Sequence, residues 1–99
     1  MAKRKIRWSQ RANIKVFEIL DFYINRNKSS AYSEKIYKRF IKELSLLDKN
    51  PEMGIVTDYE SIRGLIVGDF ILFYEITSEN IIVHSIRDCR QNPNDFIIK

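Results

Sequence analysis

The spacing of apolar residues changes once along this chain, at Gly54, and that change constrains the fold more than any other feature. Before it, Ala12, Val16, Ile19, Leu20 and Tyr23 recur at helical spacing, with Phe17 and Ile24 widening the stripe, until the polar run 25–30 breaks the period. Ser9 stands where an N-cap for this helix belongs. A second helix follows, capped by Ser29 or Ser30, with Ile36, Tyr37, Phe40, Ile41, Leu44 and Leu47 on its apolar face. Asn50-Pro51 and Gly54 end it, because the residue before a proline is driven out of the helical region. A short polar linker between two helices favours an antiparallel pair.

After Gly54 the apolar residues alternate, and they are mostly Ile, Val, Phe and Tyr, types that suit a pleated surface. Three strands are predicted at 61–67, 70–77 and 81–88, joined by turns short enough for hairpins at Gly68-Asp69 and at 77–80. Ile6 and Trp8 alternate with Lys5 and Arg7 in a short strand ahead of the first helix, which makes four strands in all. The expected fold class is therefore α+β, with an N-terminal strand and a helical hairpin on one face of an antiparallel sheet.

The turns also predict the register. If Val67 faces Phe70 and Ile76 faces Ile81, then Leu65, Phe70, Leu72, Tyr74, Ile76, Ile81 and Val83 share one face. Ile66, Ile71, Phe73, Glu75, Ile82, His84 and Ile86 then share the other. Both faces are largely apolar, and two helices cover only one. The uncovered face is expected to be hidden by the C-terminal tail or by a partner.

Length and composition narrow the function. A chain of 99 residues without repeats or a Gly/Ser-rich linker is read as one domain. The chain is 44% hydrophobic and 30% charged, and no apolar run approaches the ~20 residues of a membrane span. Neither a membrane partner nor a secretory signal is indicated, and the expected location is cytoplasmic. The single cysteine, Cys89, excludes an internal disulfide framework, and with one histidine it leaves no cluster for structural zinc. No metal or cofactor is expected. The net charge is +4, and Lys3, Arg4, Lys5, Arg7 and Arg11 concentrate positive charge at the N-terminus. Such a patch meets phosphate or an acidic protein, or only keeps a strand soluble.

Four segments together resemble the RelE/ParE toxins of type II toxin–antitoxin systems. They are Ile6-Arg7-Trp8-Ser9 with Ala12; Asn50-Pro51-Glu52-Met53-Gly54; the run from Ile62-Arg63-Gly64-Leu65 to Phe73-Tyr74; and Arg87-Asp88-Cys89-Arg90-Gln91-Asn92-Pro93. Their order and spacing cover essentially the whole chain. The resemblance implies a toxin held by a cognate antitoxin, with one of two activities. Some members poison DNA gyrase, and others cut mRNA on the ribosome.

The RNA-cutting branch places several basic residues and a Tyr or His on the exposed sheet face, where they activate the ribose hydroxyl and stabilise the phosphorane. Here Ile71 stands at a strand position that holds an arginine in that branch, and the tyrosine expected in the tail has no clear match, Phe96 being the nearest aromatic. The resemblance is closer to the ParE branch, whose toxins act by binding. Arg63, His84 and Arg90 are the weak catalytic candidates. Ile71, Phe73, Ile82, His84, Arg87, Arg90, Gln91 and Asn92 are the candidates for antitoxin or target contact.

Each candidate has a plainer reading. Arg63 makes an ion pair near the sheet edge, His84 is held by the backbone or by a neighbouring ring, and Asp88 pairs with one of its flanking arginines. Cys89 reads as a small packed residue rather than a nucleophile. Lys35, Lys38, Arg39 and Lys42 form a basic stripe facing solvent, and Tyr23, Tyr37 and Phe40 belong to the core.

Overall fold

The computed structural model describes residues 3–89. The elements among them are β1 (Lys5–Trp8), α1 (Gln10–Asn27), α2 (Ala31–Leu46), β2 (Ile55–Val56), β3 (Arg63–Val67), β4 (Phe70–Ile76) and β5 (Asn80–Asp88). Ser9 caps α1, its Oγ accepting from the Ala12 amide at 3.1 Å. The helix runs three residues into the predicted break and stops at Lys28, whose φ of 55° turns the chain into the left-handed region. At the start of α2 it is Ser29 whose hydroxyl accepts from the Ala31 amide, at 3.2 Å, while Ser30 makes no side-chain cap. A bond that local pattern does not reveal ties the hairpin: buried Ser33 donates to the Leu20 carbonyl at 2.7 Å.

The strand order is β1-β5-β4-β3-β2. Two features depart from the predicted antiparallel sheet of four strands. β1 pairs parallel to β5, Ile6 against Ile81 and Trp8 against Val83, the rest of the chain serving as the long crossover that parallel neighbours require. In addition, the segment after Gly54 contributes a short edge strand, β2, pairing Ile55 with Gly64 and Val56 with Arg63.

The turn registers are as expected: Val67 pairs with Phe70 and Ile76 with Ile81. Between them lies a bulge that pattern alone did not show. Tyr74 pairs with Val83 but Phe73 pairs with Ser85, leaving His84 as the extra residue on β5. The bulge reverses the facing of the remainder of that strand. Ile86, expected on the face away from the helices, pairs with Leu72 and belongs to the core at 4% exposure.

The core lies between the helical hairpin and one face of the sheet. Val16, Ile19, Phe40, Leu44 and Leu47 pack there against Leu65, Leu72, Tyr74, Ile81 and Val83, and Phe40 meets Phe70 edge-on at 5.7 Å between ring centres. Tyr23 and Phe40 are buried as expected. Tyr37 is not: it is 40% exposed at the rim, its ring stacked 6.4 Å from that of Trp8. Phe17 and Ile24, which widen the stripe of α1, also face outward.

Candidate functional site

The bulge on β5 is where the helices, the sheet and the single histidine meet. Ser9 both caps α1 and donates from Oγ to the His84 carbonyl at 2.8 Å, while its amide donates to the Val83 carbonyl at 2.9 Å. One serine thereby fixes the end of β1, the start of α1 and the backbone of the bulge. The bulge places His84 on the face away from the helices, where its Nε2 lies 2.8 Å from Glu75 Oε1. With the carboxylate accepting, Nε2 is the donor and Nδ1 is left as the ring's acceptor, so Glu75 orients the imidazole. Ile82, half-buried, stands opposite Glu75, and Arg87 stands opposite Ile71. Nearby at the sheet edge, Arg7 donates from Nε to Asn80 Oδ1 at 3.2 Å.

Arg63 does not join this group. It pairs with Tyr74, whose ring points into the core, so its side chain lies on the helical side of the sheet edge. There its Nη1 donates to the Gly54 carbonyl at 3.0 Å, a backbone oxygen in place of the predicted carboxylate partner. Tyr74 completes the clamp: its hydroxyl donates to the Pro51 carbonyl at 2.9 Å and accepts from the Gly54 amide at 3.0 Å. Burial holds the Tyr74 phenol above its ordinary pKa of 10.0, against the opposing influence of the Gly54 amide and the Arg63 charge. The segment 50–54 is therefore a structural knot.

The expected bare apolar surface requires correction. Ile71 and Phe73 lie outside the main core yet are only 4% and 2% exposed. Gly64 explains part of this. A Cβ there would come within 2.8 Å of Ile71 Cδ1, so the missing side chain lets Ile71 lie flat over β3. What this face does present is Ile66, at 57% exposure, with Ile55 at the edge. Arg90, Gln91 and Asn92, and Phe96 beyond them, lie outside the described residues.

Other cations divide in the same way. Arg4, counted in the N-terminal patch, donates to the Thr77 carbonyl at 2.8 Å and to the Asp48 carbonyl at 3.1 Å, pinning the N-terminus to the end of α2. Lys3, Lys5, Arg7 and Arg11 are exposed. Lys35, Lys38, Arg39 and Lys42 are exposed on α2, though Arg39 leans over the turn at Gly68. Cys89 is half-buried, and burial, with the neighbouring carboxylates of Asp88 and Asp69, pushes its thiol above the ordinary value, away from nucleophilic reactivity. Among the described residues there is no group of three or more potential metal ligands and no helix long and apolar enough to cross a membrane.

A family model described as the ParE toxin of type II toxin–antitoxin systems, parDE, matches residues 6–93, a span that runs from β1 past the end of β5. The chain belongs to the ParE toxin family. No curated protein sequence matches it significantly. A solved structure of the chromosomal ParDE toxin–antitoxin system from P. aeruginosa has the same fold, with a TM-score of 0.70 over 87% of this chain and 96% of that one, at 16% identity. The ParE branch was the one that Ile71 and the tail favoured in the sequence. As a ParE-family member the chain is the toxin half of a pair whose other half is an antitoxin. The bulge at His84 and the two-sided clamp at Tyr74 went unnoticed in the sequence, and only the Asn-Pro and Gly signals around 50–54 hinted at the second.

Proposed function

We propose that this toxin acts in the cytoplasm by binding a protein target, DNA gyrase being the leading candidate, and that its antitoxin neutralises it by occupying part of the same surface. One observation carries the reading: the two described residues of the weak catalytic set face opposite sides of the sheet, with Arg63 tied to the Gly54 carbonyl and His84 Nε2 tied to Glu75. Cleavage of RNA by a 2′-hydroxyl needs a proton acceptor and several cations converging within hydrogen-bond reach of one phosphate. A binding toxin needs only an accessible surface of mixed character. Ile66, Ile82, His84 and Arg87 supply one on β3 and β5.

Induction of the toxin in growing cells tests this. DNA cleavage complexes and an SOS response are the expected result. Cleavage of translated mRNA at codon boundaries that is lost in His84→Ala would reverse it in favour of the ribosome-dependent nuclease. Ile82→Asp is a better probe of partner contact than Phe73→Asp, because a charge at buried Phe73 would unfold the chain whatever its role.

A further inference from the structure

Two adjoining cavities lie along the flank of α1 that faces away from α2. One, of ≈ 310 Å³, is lined by Arg11, Ile14, Lys15 and Glu18 from the helix and by Arg87 from β5. The other, of ≈ 330 Å³, is lined by Lys15, Glu18 and Phe22 with Phe70 and Asp88. They share Lys15 and Glu18 and so form one trough. On the helix, Arg11, Ile14, Glu18 and Phe22 follow one another at steps of three and four, with Lys15 beside Ile14, in a line next to the core stripe. Ile14 and Phe22 are 53% and 48% exposed there, although both are large and apolar.

The floor of the trough has a further property. β1 ends opposite Val83, so from Ser85 to Asp88 the outer edge of β5 has no strand beside it among the described residues. An open strand edge offers backbone donors and acceptors to an extended chain. The walls then say what such a chain must carry. Arg11 and Arg87 make no ion pair among the described residues, whereas Lys15 is already 3.8 Å from Glu18. The two unpaired arginines, with Ile14 beside them, are thus at one end, and Phe22 and Phe70 are at the other, with the Asp88 carboxylate at its wall. A nucleic acid carries phosphates along its whole length and would need cations along the whole trough. A peptide can place a carboxylate at one end and a bulky side chain at the other.

We infer that this trough seats an extended acidic segment of the antitoxin, pairing along the β5 edge from Ser85, with a carboxylate between Arg11 and Arg87 and an apolar side chain against Phe22 and Phe70. The inference rests on the reading of the chain as an antitoxin-bound toxin. It also explains neutralisation, because the same segment covers Arg87 and the rim of the face that carries Ile82 and His84.

The test measures binding of the antitoxin encoded beside the toxin gene to the intact toxin, by titration and by peptide-level hydrogen exchange. Arg11→Glu with Arg87→Glu should weaken binding at least tenfold, salt should weaken wild-type binding, and the segment 84–88 should gain protection in the complex. Phe22→Ala, which leaves all charges in place, should weaken binding independently of salt. Wild-type binding with no loss in either variant and no protection at 84–88 overturns the trough while leaving the toxin–antitoxin reading intact. Absence of any wild-type binding overturns that reading itself. A single-stranded oligonucleotide whose binding alone is lost in the double variant would overturn the peptide assignment.

Discussion

The two ends of the sheet treat their polar groups in opposite ways. At the β2–β3 end, Tyr74, Arg63 and Gly54 form a closed set in which each described polar side chain is bonded to the chain's own backbone. At the far end of β5, Arg11 and Arg87 are unpaired among the described residues, and Ile14 and Phe22 stand half-exposed beside an open strand edge. The first arrangement commits its hydrogen-bonding capacity to the fold. The second leaves capacity for something outside it. Arg63 is held by the Gly54 carbonyl, whereas Arg11 on the outer flank of α1 and Arg87 near the end of β5 are held by no hydrogen bond or ion pair among the described residues.

That contrast can be broken most directly at Gly54. A Cβ there would sit 2.6 Å from the Tyr74 hydroxyl and 2.8 Å from the Gly64 carbonyl, so neither a flexible side chain nor an easy shift relieves it. Gly54→Ala should destabilise the protein by about 2–3 kcal/mol in urea denaturation, an overpacking cost. A smaller loss would mean that the knot is looser than its distances imply.

Tyr74→Phe should cost about 1–2 kcal/mol, because it removes a donor and an acceptor and leaves the Gly54 amide without its buried partner. The same variant isolates a pH effect. The phenol of Tyr74 is held above 10.0 in the folded chain, so its contribution is fully present below that pH and is lost as pH rises through the folded value. The wild-type urea midpoint should therefore fall more steeply above pH 10 than that of Tyr74→Phe; parallel curves would show that Tyr74 does not govern the alkaline limb.

Ser9→Ala should cost about 1 kcal/mol through the lost cap, with faster amide exchange in both the first turn of α1 and the bulge. Exchange confined to α1 would separate the cap from the latch on the His84 carbonyl. The smallest effect belongs to the open end. Arg11→Ala with Arg87→Ala should change stability by under about 0.5 kcal/mol, as expected for surface positions that hold no structural contact. A thermal melt showing a larger loss would move these arginines from the binding side of the comparison to the folding side.

Much of the architecture was readable before the structure because its signals are local. Ser9 and the stripe from Ala12 to Tyr23 specify α1, and Gly68-Asp69 sets the pairing of Val67 with Phe70, since capping and tight turns act between residues a few positions apart. The candidate site was less legible. Arg63, His84 and Ile71 were marked as distinctive residues, but their neighbours depend on contacts far along the chain. His84 is turned by a bulge latched from Ser9, 75 positions away. Ile71 is accommodated by the missing side chain of Gly64 on the adjacent strand.

Amino-acid order alone determined the helices, the three main strands and the membership of the ParE family, since periodicity and motif spacing need no knowledge of the rest of the molecule. Tertiary structure decided the parallel placement of β1, the reversal of facing at Ile86, the burial of Phe73 and the division between tied and untied arginines. Those outcomes depend on which distant groups meet, and a buried donor or acceptor takes whatever partner the packed chain brings within reach.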